Sequence, residues 1–143
     1  MTNRIATTRE QRNRLLQRGV TADSADMCYD SGALSLMDYD SAVHERDSRR
    51  DNYKVIPAFS LGRLLELLPK EIDIDGYPYR ISIYYEDSDE PVIGNQWCLY
   101  YKPKKHNEKS RIDDVPMYAP DLIECAVLMV EWLTRHNIKL NEL

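Results

Sequence analysis

An α+β fold is predicted: a three-stranded antiparallel meander packed against a long C-terminal helix and a shorter helix, with an N-terminal helical arm. Three observations lead there. Residues 121–136 carry apolar side chains at helical spacing, with Leu122, Ala126, Met129, Val130 and Leu133 in one stripe and Ile123 and Cys125 beside it. Leu61, Leu64, Leu65 and Leu68 repeat the pattern over a shorter span, which Ser60 can cap and Pro69 stops. Between these helices, Glu71–Ile74, Tyr79–Tyr85 and about Gln96–Lys102 alternate at the period of a strand.

The elements follow in order. Thr7 with Glu10 matches a capping box for a helix over residues 7–18, and Gly19 offers a C′ stop. Its apolar content is Leu15 and Leu16, so weak docking is expected, and Arg9, Arg12, Arg14 and Arg18 spread around it. Thr21 can cap a second turn through Ala22, Ala25 and Met27. Residues 30–52 are then polar, with Asp38, Asp40, Asp47 and Asp51 alternating with Arg46, Arg49 and Arg50, and read as a long connection outside the core. The chain is thus divided into an arm, 1–52, and a compact core, 53–143, within a single domain. Asp75-Gly76 is a hairpin signal. After Asp87-Ser88-Asp89-Glu90-Pro91 comes the third strand, and residues 103–116 read as a charged loop. On the last helix Glu131 and Arg135 can pair at i,i+4, and Asn137 suits a left-handed cap. Leu61, Leu64, Leu65, Ile81, Ile83, Leu99, Leu122, Ala126, Val130 and Leu133 are the expected core.

Several segments resemble small uncharacterised proteins of phage-like and mobile elements in Bacteroides-type bacteria. They are Ala6-Thr7-Thr8-Arg9-Glu10-Gln11 with Arg14-Leu15-Leu16, Thr21 to Tyr29, Ile56 to Pro69, and Leu122 to Leu133. The resemblance touches both ends and the middle of the chain. It implies a bacterial cytoplasmic accessory protein and carries no catalytic residue to transfer.

Composition narrows the function classes. With 143 residues and 43% apolar content, the chain can bury a core without a metal or disulfide staple. A net charge of −5 disfavours a dedicated binder of phosphate backbones or anionic membranes. Cys28, Cys98 and Cys125 are odd in number and lack C-x-x-C spacing, which points to a reducing compartment and away from a zinc site. No apolar run is long enough to span a membrane, and the opening residues lack a signal core. A cytoplasmic location is expected.

Candidate chemistry is sparse. Asp73-Ile74-Asp75-Gly76 echoes a calcium loop, but Tyr77 and Tyr84 stand where oxygen ligands are required, so a turn is the better reading. Asp87, Asp89 and Glu90, and Asp113 with Asp114, read as solvated turns. His44, His106 and His136 share no ligand spacing. No catalytic residue, metal ligand or cofactor site is assigned. The aromatic residues carry the sharper expectation. One face of the sheet would hold Arg80, Tyr84, Tyr100 and Lys102, extended by Lys104 and Lys105 in the run Lys102-Pro103-Lys104-Lys105-His106 and on to Lys109 and Arg111. Aromatics flanked by cations can stack unpaired bases and hold phosphates. Tyrosine also favours strands for its own sake, and the N-terminal segment or a second subunit could cover this face. The leading expectation is therefore a non-enzymatic interaction protein acting on a host or element protein, with a single-stranded nucleic-acid binder as the alternative.

Overall fold

The structure, a computed structural model, describes residues 5–30, 32–49, 54–86, 95–105 and 114–143. They form the expected α+β mixture, with a fourth strand in the meander and a second, smaller sheet.

The first helix, α1 (Arg9–Gln17), starts one residue later than expected. Thr8 is the N-cap: its hydroxyl accepts from Gln11 N at 3.2 Å, and Gln11 Oε1 accepts from Thr8 N at 2.9 Å. Thr7 is used otherwise. It is buried, its amide donates to Phe59 O at 3.0 Å, and its hydroxyl accepts from Phe59 N at 3.1 Å. Two adjacent threonines could each cap the helix, and the contact with Phe59 decides between them. Leu15 is wholly buried while Leu16 is exposed.

Within residues 30–52, the described part corrects the expectation of an irregular connection. A 3-10 turn at Ala22–Ser24 leads into β1 (Met27–Asp30), followed by β2 (Ala33–Ser35) and α2 (Tyr39–Ser48), and β3 (Val55–Ala58) completes the small sheet. Its order is β2-β1-β3, antiparallel throughout, with Cys28 opposite Ser35 on one side and Pro57 on the other. This sheet straddles the expected division at 52–53. Asp38 caps α2 by accepting from Ser41 N at 2.8 Å. Ala42 is the buried residue of α2 and packs with Cys28 and Val55.

Helix α3 (Leu61–Leu67) has the predicted cap and stop. Ser60 Oγ accepts from Arg63 N at 3.1 Å, and Leu68 turns extended (ψ 124°) before Pro69. Ser60 is itself held by Asp26, whose carboxylate accepts from the Ser60 amide at 2.9 Å and from its hydroxyl. The far end of α3 is closed by Asn141: its amide donates to Leu67 O at 2.9 Å, and its side chain donates to Glu66 O and Leu68 O.

The main sheet runs β4 (Glu71–Ile74), β5 (Tyr77–Glu86), β6 (Gln96–Pro103) and β7 (Val115–Ala119), antiparallel in that order. Asp75 (φ 52°) and Gly76 (φ 86°) join Ile74 to its partner Tyr77 in a two-residue hairpin, the geometry that requires positive φ at both positions. Strand β7 corrects the reading of residues 103–116 as loop to their end. Val115 and Ala119 point into the core while Pro116 and Tyr118 are exposed, and Pro116 is tolerated because β7 is an edge strand.

Helix α4 (Leu122–Arg135) lies across β6 and β7 and is covered from behind by α1 and α3. Burial on two sides explains why Ile123, Cys125, Ala126, Val127, Met129, Val130 and Leu133 are all buried. Leu64, Leu67, Leu68, Ile72, Tyr79, Leu99 and Tyr101 complete the core. Leu61, Leu65, Ile81 and Leu122 are partly buried against it. Ile83, an expected core residue, is 39% exposed: it points to the helix side, but α4 covers β6 and β7, and the distal half of β5 runs past it. Asn137 adopts φ 59°, as expected for the end of α4. Among the described residues, no helix is long and apolar enough to cross a membrane.

Candidate functional site

The helices pack on one side of the four-stranded sheet, and the register fixes what stands on the other. Arg80 is opposite Lys102, Ser82 opposite Tyr100, and Tyr84 opposite Cys98. On the far side of β6, Tyr100 faces Pro116 and Cys98 faces Tyr118. Cross-strand partners share a face. Arg80, Tyr84, Tyr100 and Lys102 therefore line up as the alternation predicts, and the structure adds Tyr118. That tyrosine is invisible without β7; the signal was the alternation of Val115, Met117 and Ala119 with Pro116 and Tyr118.

The tyrosines form a connected cluster. The rings of Tyr84 and Tyr100 meet edge to face, 5.4 Å apart at 77°. The hydroxyls of Tyr84 and Tyr118 lie 3.4 Å apart. Beneath them Cys98 is 1% exposed, although it sits on the outer face. The hydrogen bond to Tyr118, and then that to Cys98, pushes the Tyr84 pKa up. Burial pushes the Cys98 thiol up, against the hydrogen bonds from the two tyrosines. Both groups stay protonated near neutrality, so the cluster offers ring faces and neutral hydroxyls and no nucleophile. Tyr101, the neighbour of Tyr100, points the other way, with its hydroxyl donating to Pro69 O at 2.6 Å in the core.

The cationic end of the face is partly compensated. Lys104 Nζ lies 2.5 Å from Glu71 Oε1, and Arg80 Nη2 lies 3.7 Å from the same oxygen. The hydrogen bond from Lys104 is the main reason why the Glu71 carboxyl is held below its ordinary value. Lys102 and Lys105 are exposed. His106, Lys109 and Arg111, expected to extend the patch, lie outside the described residues. So do the loop carboxylates Asp87, Asp89, Glu90 and Asp113.

On the opposite, helix-side face of β5 and β6, Tyr85, 43% exposed, meets Trp97 edge to face at 5.0 Å. Elsewhere the expected minor features resolve simply. Cys28, Cys98 and Cys125 are buried and unpaired. His136 stacks on Trp132 at 4.1 Å, and its Nδ1 is 2.8 Å from Trp132 O. Among the described residues, no group of three or more His, Cys, Asp and Glu side chains is placed to hold a metal ion.

No family model, no curated protein and no solved structure matches this chain.

Proposed function

We propose that this chain is a non-enzymatic binding protein, an accessory of a phage or mobile element, which takes a partner protein on the open face of its main sheet. The observation that carries the reading is the Tyr84–Tyr100–Tyr118 cluster, set on a sheet face that the helices leave uncovered. Tyrosine supplies large contact area at low entropic cost, and it is enriched at protein interfaces. The cations Arg80, Lys102 and Lys104 at one end, on a chain of net charge −5, fit a partner that joins an apolar anchor to acidic side chains. The phage or mobile-element setting rests on the resemblance of the N-terminal, Ile56–Pro69 and Leu122–Leu133 segments, and a cytoplasmic location goes with it.

The alternative is a single-stranded nucleic acid, favoured by the meeting of aromatics and cations on one face. Two features weigh against it. Successive bases need rings lying flat, and the 77° angle between Tyr84 and Tyr100 allows only one of the pair to do so. Glu71 also compensates part of the positive charge that phosphates would use.

The test compares the native chain with Tyr84→Ala and Tyr118→Ala as bait in bacterial lysate, with and without nuclease, beside size-exclusion of the pure protein. A partner that survives nuclease and is lost with either substitution is the expected result. Salt-sensitive binding of a labelled oligonucleotide, abolished by the same changes, would overturn it in favour of nucleic acid. A dimer dissociated by them would assign the face to a second copy.

A further inference from the structure

Strand β2 is an edge of the small sheet, and among the described residues no strand pairs with its outer side. Asp30 pairs with Ala33, and Cys28 with Ser35. A turn this tight is closed by a hydrogen-bonded pair, so Ala33 and Ser35 direct their backbone groups to β1. Leu34, between them, directs its N–H and C=O outward. By the same alternation Gly32 and Leu36, two residues to either side, share the edge and the face of Leu34. That face also bears Tyr29, the partner of Leu34, and Ile56, the partner of Tyr29. Between it and α1 lies an apolar cavity of about 290 Å³, walled by Tyr29, Ile56 and, at the turn, Gly32. A Cβ on Gly32 would meet nothing within 4 Å, so the space above it is open. Leu36, at 84%, is the most exposed large apolar side chain among the described residues.

We propose that a second copy of this chain adds its own β2 to this edge, antiparallel and centred on Leu34, in a two-fold dimer. Such a register sets Leu34 of the two copies against each other and Leu36 of each against Gly32 of the other. The uncovered leucine then enters the mouth of the cavity over a residue that has no side chain, twice over by symmetry. The outward N–H and C=O of Leu34 gain partners in the same step. Charge agrees with this register. Asp38 and Asp40, both exposed, follow Leu36 into α2. Arg9, exposed on α1, stands beside the cavity and takes part in no ion pair among the described residues. The pairing carries the acidic start of one α2 toward Arg9 of the other copy. A strand of three residues gives a small interface, so the dimer forms and dissociates with concentration. The edge is separate from the tyrosine face and does not depend on the function proposed for it.

The test is sedimentation equilibrium of the full chain up to about 1 mM, which reaches dissociation constants of weak pairs. An NMR sample that mixes labelled and unlabelled chain reports contacts between copies. A monomer–dimer equilibrium is expected, with contacts from the Leu36 methyls of one copy to the Gly32 Hα of the other. The Leu34 amide should exchange more slowly as concentration rises. Leu36→Glu should weaken the dimer about tenfold or more. Leu36 is exposed in the single chain, so this variant keeps its fold. Arg9→Glu should also weaken it, and Arg9→Glu with Asp40→Lys should restore it, which damage to the fold could not do. A chain that stays monomeric to about 1 mM, or a dimer indifferent to Leu36→Glu, would overturn the proposal. So would a dimer that Tyr84→Ala dissolves and Leu36→Glu does not, which belongs to the tyrosine face.

Discussion

Arg14 Nη1 lies 2.6 Å from Glu124 Oε1, a bond that ties α1 to α4 across 110 residues of sequence. The same guanidinium holds Glu131, two turns further along α4, and Gln11 Nε2 donates to Glu124 at 2.8 Å. A helix with one buried leucine is thus docked largely by polar contacts. The three charged side chains are each about one-fifth to one-quarter exposed, between the surface and buried limits. Arg14→Ala is expected to cost about 1–3 kcal/mol, since two mostly buried carboxylates lose their partner. Urea denaturation at low and high salt checks this; a loss below about 0.5 kcal/mol would place the clamp among ordinary surface pairs.

Leu133 is wholly buried where α4 meets the core. Leu133→Ala should cost about 2–5 kcal/mol in chemical denaturation, the range for a large-to-small change in a packed interior. A loss below about 1 kcal/mol would mean that this face of α4 is not core.

Helix α2 buries one residue, Ala42, whereas α4 buries seven. Native-state hydrogen exchange should therefore find the amides of α2 opening well before those of α4. Equal protection of the two helices would make the small sheet and its helix part of the same cooperative unit as the main core.

Burial raises the Cys125 thiol from 9.0 to about 12. The unfolded chain releases this proton first, so stability should be unaffected below pH 9 and fall as pH rises through the range up to about 12. Cys125→Ala should shallow that alkaline limb, measured by urea titration at successive pH values. In the same window Cys125 should resist a thiol reagent until the protein unfolds. Rapid labelling of the native chain would contradict its burial.

The carboxylate of Glu71 shifts the opposite way, held down by Lys104 and Arg80. Its contribution is present above the ordinary glutamate range and is lost as pH falls through the lower folded value. Glu71→Gln should flatten the acid side of the stability profile and loosen Lys104, visible as a change in the Lys104 side-chain NMR signals.

What the sequence disclosed follows the range of the forces involved. Ser60, Pro69, Asp75-Gly76 and Asn137 act within a turn of themselves, and each does what local chemistry predicts. The co-facial set Arg80, Tyr84, Tyr100 and Lys102 needed only the period of two and the register imposed by strands of matching length. Strands β1 and β2 are too short to show a period, and α2 has no apolar face to reveal it. Strand β7 was hidden by a proline and a charged run before it, and Tyr118 was hidden with it. The local pairing expected for Glu131, with Arg135, is replaced by a distant one with Arg14, which no spacing rule could find. The alternation puts Ile83 on the correct side of the sheet, but periodicity cannot say where the covering helix ends.

The closure of α3 by Asn141, together with the packing of α1 on α4, has a consequence for vectorial synthesis. Both early helices are completed by residues that the ribosome makes much later, in α4 and just beyond it. A nascent chain must hold α1 and α3 without their native partners until residues 122–141 have emerged, and most of the fold then assembles in one late step. Chains stalled before residue 122 should accordingly be cleaved by protease within α1 and α3, and chains in which residues 122–141 have emerged should be protected there.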